Sequence, residues 1–96
     1  MACLNWTLQA EMDLKNIYEY IATDSSHYAK IHINRIRNKA RALKQQPRLG
    51  RVVPEMEIEN IRELIFGSYR IIYRIVNPER IDIITIYHSA RILKII

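Results

Sequence analysis

Residues 61–76 read IRELIFGSYRIIYRIV, and the alternation in this stretch decides the fold. If Gly67 and Ser68 form a two-residue turn, Leu64, Phe66, Tyr69, Ile71 and Tyr73 share one face of an antiparallel pair, because strand side chains alternate with period two. A Gly-first turn suits type II′ geometry. The hairpin therefore has a core face. Its other face carries Glu63, Arg70 and Arg74 among Ile61, Ile65 and Ile72. Cations in strands so rich in β-branched residues answer no local folding requirement, and the face they form suits an anion.

Downstream of the hairpin, Asn77 to Arg80 read as a turn and Ile81 to His88 as another strand. Strict alternation puts Ile81, Ile83, Thr85 and Tyr87 on one side and Asp82, Ile84, Ile86 and His88 on the other. Both sides are largely apolar, so this strand is expected to be central. Beyond it, Ile92, Leu93, Ile95 and Ile96 need a cover, from the body of the domain or from another chain.

Upstream, Arg51 to Asn60 is the least regular segment and reads as an extended loop, with Pro54 and the acids Glu55, Glu57 and Glu59. Before it, Ala29, Ile33, Ile36, Ala40 and Leu43 are spaced four, three, four and three residues apart, the seam of an amphipathic helix that ends at Pro47. Lys30, Arg35, Arg37, Lys39, Arg41 and Lys44 lie on its outer side. Thr23 to Ser26 break the pattern, and Leu14, Ile17, Tyr18 and Ile21 mark an earlier helix from Leu8 to about Ala22, with Thr7 as its cap. Ala2 to Thr7, with Leu4 and Trp6 on one side, makes a first strand. The order predicts one α+β domain over residues 1–96, an N-terminal strand and helical hairpin packed on a twisted, mainly antiparallel sheet.

Composition narrows the function classes. Of 96 residues, 49% are hydrophobic and 26% charged, which excludes a disordered chain, and no apolar run is long enough to span a bilayer. We expect a soluble, cytoplasmic protein, since no signal-peptide pattern is present and the single cysteine, Cys3, cannot form an internal disulfide. The net charge of +5 favours polyanions or an acidic partner. His27, His32 and His88 stand at spacings unrelated to a zinc site, and two glycines make no phosphate loop, so no metal or cofactor is expected.

One constellation carries chemistry: Glu55, Arg62, Arg70, His88 and Arg91. RNA cleavage through a 2′-hydroxyl needs a base, an acid and cations for the developing phosphorane charge, roles that Glu, His and Arg fill. The parity of the connection after Val76 decides the geometry. An odd loop sets Arg70 opposite His88, an even loop sets Tyr69 there.

The Trp-containing first strand, AEMDLKNIYEYIA, a second helix ending LKQQPRLGRVVPE, then IRELIFGSYRIIYRI and IDIITIYHSAR resemble, in order and along nearly the whole chain, the RelE/ParE superfamily of type II toxin-antitoxin toxins. The long helical hairpin, the Arg62–Glu63 pair, YRIIYRI and the His88-x-x-Arg91 ending are most similar to ParE. The resemblance implies a toxin neutralised by a cognate antitoxin, with ParE-type members inhibiting DNA gyrase. RelE-type members instead cut messenger RNA on the ribosome. Val52, Val53 and Met56 stand where RelE has paired lysines, and no tyrosine follows Tyr87, so only Arg70 carries over from RelE. YoeB-type nucleases use a Glu, Arg and His set, which Glu55, Arg70 and His88 imitate. For a gyrase inhibitor the expected target- or phosphate-binding residues are Arg62, Arg74 and Arg91. An acidic, amphipathic antitoxin is expected on Ile92, Leu93, Ile95 and Ile96.

Overall fold

Thr7 and Ser25 set where two helices begin. The structure, a computed structural model, describes residues 1–88. The Thr7 side chain accepts a hydrogen bond from the Ala10 amide at 3.1 Å, and the Ser25 hydroxyl does the same for Tyr28, also at 3.1 Å. Each satisfies one orphan donor of the first helical turn. Helix α1 (Leu8–Ala22) and helix α2 (Ser26–Arg41) then form the expected antiparallel hairpin, and a short 3₁₀ turn, Ala42–Lys44, extends α2 toward Pro47. Ala10, Ala29 and Ala40 are fully buried, which lets the backbones come close, while Leu14, Ile17, Ile36 and Leu43 supply the apolar contact.

The hairpin covers one face of a five-stranded sheet: β1 (Cys3–Trp6), β2 (Arg51–Val52), β3 (Ile61–Phe66), β4 (Tyr69–Asn77) and β5 (Arg80–His88), in spatial order β1-β5-β4-β3-β2. The first strand runs parallel to β5 and the remaining pairs are antiparallel. As expected, β5 is an inner strand. Phe66 faces Tyr69 across the turn and, of the two turn residues, Gly67 takes positive φ, +56°, so the two-residue connection forms as the Gly-first reading requires. Leu64, Ile71, Tyr73, Ile75, Ile81, Ile83 and Ile86 form the helix-covered core.

Two expectations are corrected. The segment after Gly50 is not wholly a loop, since Arg51 and Val52 pair with Glu63 and Arg62 as the edge strand β2. A two-residue strand, Arg51 and Val52, gives no alternation to read, and its strand character comes only from the neighbour. Strict alternation also fails in β5. Ile72 faces Thr85 while Tyr73 faces Ile83, so Ile84 is an extra residue, and a compensating irregularity leaves Val76 extra in β4. Ile86 therefore joins Ile81 and Ile83 under the helices, and Ile84 and Tyr87 pack on the other side with Ile72 and Val53. A bulge re-aims every side chain after it. Asp13 of α1 holds this one, accepting hydrogen bonds from the Ile86 amide at 3.0 Å and from the Thr85 hydroxyl.

Candidate functional site

On the face away from the helices, Arg51, Glu63 and Arg70 come from three consecutive strands. Arg51 is directly opposite Glu63, and Arg70 lies diagonally across, opposite Ile65. This adjacency follows from the register, because same-face residues on paired strands stand within side-chain reach. Glu63 accepts from Arg70 Nε and from Arg51 Nε, each at 2.6 Å, and its side chain is wholly buried. The loop after β2 swings Glu55 over the same spot, where its carboxylate takes a bidentate contact from Arg70 at 2.7 and 2.8 Å. Fork-to-fork pairing of this kind is the strongest ordinary ionic contact. It holds Glu55 down to about 2, chiefly through the hydrogen bonds from Arg70, and pushes Arg70 further up, chiefly through the bond to Glu55. Basic and acidic side chains alternate along the row Arg51, Glu63, Arg70, Glu55.

Of the set Glu55, Arg70 and His88, the geometry joins the first two and separates the third. Glu55 and Arg70 are in contact. His88 lies opposite Tyr69, and Arg70 lies opposite Tyr87, so Arg70 and His88 point to different faces of the sheet. The His88 ring stands edge-on to Tyr69 with centroids 5.7 Å apart, beside a cleft of about 470 Å³ lined by Asp13, Asn16, Ile17, Tyr20 and Ile86. A proton donor there cannot reach a group held at Arg70 without a change of face.

Arg62 serves as a clamp. Its guanidinium donates to the Gly50 carbonyl at 2.9 Å, the Glu59 carbonyl at 3.0 Å and the Glu59 carboxylate at 2.7 Å, which ties both ends of the loop that carries Glu55. Gly50 sits where a Cβ would come 2.4 Å from the Glu63 carbonyl, so only glycine fits there. Its amide donates to the Tyr73 hydroxyl at 2.9 Å, and that hydroxyl donates to the Pro47 carbonyl at 2.7 Å. Arg74 is exposed on the same face as Arg70. Arg91, Ile92, Leu93, Ile95 and Ile96 lie outside the described residues. Sequence reasoning missed Arg51 and Asp13. Arg51 had no strand to place it, and nothing near Asp13 in the sequence announces its contact with Thr85.

No group of three or more His, Cys, Asp and Glu side chains able to hold a metal is found among the described residues. No described helix is long and apolar enough to cross a membrane. The family model described as "ParE toxin of type II toxin-antitoxin system, parDE" matches residues 4–93. No curated protein matches the chain. Among solved structures, the chain is similar to one described as "Chromosomal ParDE TA system from P. aeruginosa", with 26% identity and a TM-score of 0.75, over 92% of this chain and 96% of that one.

Proposed function

Because the chain belongs to the ParE toxin family of type II toxin-antitoxin systems, we propose that it is held in check by a cognate acidic antitoxin and inhibits DNA gyrase in the cytoplasm by binding, without chemistry of its own. The resemblance to ParE supplies the target. The observation that supports binding over cleavage is the partition of the constellation: Arg70 is taken up by Glu55 and Glu63 on one face, and His88 faces Tyr69 on the other. Arg62, Arg74 and Arg91 make up the proposed target-binding set. Arg62 acts by fixing its loop, and Arg74 meets the target with an exposed guanidinium. Ile92, Leu93, Ile95 and Ile96 are the proposed apolar anchors for the antitoxin.

The test combines two assays on one variant. Purified parent protein should inhibit supercoiling by gyrase, and its expression should relax plasmids while messages stay uncut at codon boundaries. His88→Ala should keep most of the toxicity, since binding energy is spread over a surface and not focused on one proton-transfer group. Message cutting by the parent, with toxicity lost in a folded His88→Ala variant, would replace this reading with a ribosome-dependent nuclease.

A further inference from the structure

Helix α2, SHYAKIHINRIRNKAR, carries Lys30, Arg35, Arg37, Lys39 and Arg41 and no Asp or Glu. Ala29, Ile36 and Ala40 are its buried residues and mark the side turned toward the domain. At 3.6 residues per turn, the composition of the opposite side follows from spacing alone. Lys30, Asn34, Asn38 and Arg41 succeed one another at four, four and three residues and form one row along that side, and Arg35 and Lys39, four apart, form a second row beside it. All six are exposed.

Elsewhere on the molecule, cations are mostly neutralised. Lys15, Arg48, Arg62 and Arg80 each stand within 4.0 Å of a carboxylate, and Arg37 of α2 is held by Glu11 through a two-pronged contact at 3.0 and 3.1 Å. Lys30, Arg35, Lys39 and Arg41 have no carboxylate that close among the described residues. Outside α2, the same holds among the described lysines and arginines only for Arg74 and for Lys44, on the 3₁₀ turn that continues the helix. Arg41 donates to the neutral side-chain oxygen of Asn38, and residues 89–96 contain no Asp or Glu to compensate the helix. Positive charge without an internal partner is thus collected on one helix face.

The make-up of that face selects its partner. No large apolar side chain is exposed between Lys30 and Arg41. A protein partner needs an apolar centre and is met by surfaces poor in lysine, whereas surfaces that meet nucleic acid are polar and strongly positive. We propose that the outer face of α2 binds the phosphate backbone of duplex DNA, without reading its sequence. Lys30, Arg35, Lys39 and Arg41 meet phosphates, and the Asn34 and Asn38 amides donate to phosphate and sugar oxygens between them. From Lys30 to Arg41 the helix rises about 16 Å, a length over which a duplex presents roughly ten charges, so each of these cations has a phosphate to meet. The choice of a duplex rests on the gyrase reading, since the enzyme to be inhibited holds one and a toxin seated on that enzyme would lay α2 along it.

The probe is a fluorescein-labelled duplex of about 20 base pairs and mixed sequence, titrated with the full chain over a series of salt concentrations and followed by anisotropy. It should bind at low salt, and log K should fall by roughly 3–4 for each decade of salt, as four phosphate contacts require. Lys30→Gln with Arg41→Gln, and separately Arg35→Gln with Lys39→Gln, should each weaken binding about tenfold and flatten that slope by about 2. Lys15→Gln with Arg80→Gln removes the same charge from other elements and should change binding far less. All these side chains are exposed, and circular dichroism checks that each variant is folded. Equal losses in the three variants, binding indifferent to salt, displacement of the duplex by a smaller charge equivalent of polyglutamate, or tighter binding of a single-stranded RNA would each overturn the proposal. A supercoiling assay separates it from the reading it rests on. If the parent inhibits gyrase while both α2 variants hold the duplex as the parent does, the DNA face falls and the gyrase reading stands; if the parent leaves gyrase untouched, the gyrase reading falls and the duplex titration alone judges the face.

Discussion

Ile71 and Arg70 are neighbours in β4, yet Ile71 lies under two helices and Arg70 lies beneath the loop that follows β2. Both are buried, Ile71 completely and Arg70 with only 6% of its surface exposed. Ile71 is surrounded by aliphatic and aromatic side chains that lose nothing by leaving water. Arg70 is stable there only because Glu55 and Glu63 take up its donors and its charge. An apolar face tolerates imperfect packing in proportion to the volume lost, whereas an ionic face fails sharply when one partner is removed. Tying down the loop at Arg62 and Gly50 belongs to the same device, since Glu55 must stay above Arg70 for the charges to balance.

The largest expected effect breaks the ionic side. Arg70→Met leaves Glu63 buried with one cation fewer and should cost about 3–5 kcal/mol, measured by urea unfolding. Adding Glu63→Leu to the same chain should restore most of that loss, because an apolar replacement of a buried pair is often neutral. If Arg70→Met costs no more than a surface substitution, the network is ornamental and the contrast between the faces disappears. A smaller effect is expected on the apolar side, where Ile71→Val should cost about 1 kcal/mol for one lost methylene. A cost there equal to that of Arg70→Met would show that the two faces fail in the same way.

The smallest effect is a matter of pH. Glu55 is held at about 2 against an ordinary value of 4.5, so it stabilises the fold fully above that ordinary value and loses the contribution as pH falls toward 2. The carboxylate is 38% exposed and solvent screens it, so Glu55→Gln should cost about 1 kcal/mol or less at pH 7. Between pH 4.5 and 2 the parent should lose stability faster than the variant, and the two should converge at the acid end. Parallel acid-unfolding curves would show that Glu55 titrates alike in folded and unfolded chains.

What is local in this protein was legible in its sequence. The turn at Gly67, the core face from Leu64 to Tyr73, the cap at Thr7 and the helical seam depend on periods of two and 3.6 and on side chains bonding amides a few residues away. The succession of those pieces was enough to place the chain in its toxin family. Tertiary structure alone decided the rest. The bulge at Ile84 needs Asp13, more than seventy residues earlier in the chain, and it turns Ile86 and His88 toward the helices. The network needs Arg51, Glu63 and Arg70 from three strands and Glu55 from a loop that Arg62 clamps through the Gly50 and Glu59 carbonyls. Register and loop position are set by the summed packing of distant elements, and a one-residue shift in either would trade one face of the sheet for the other.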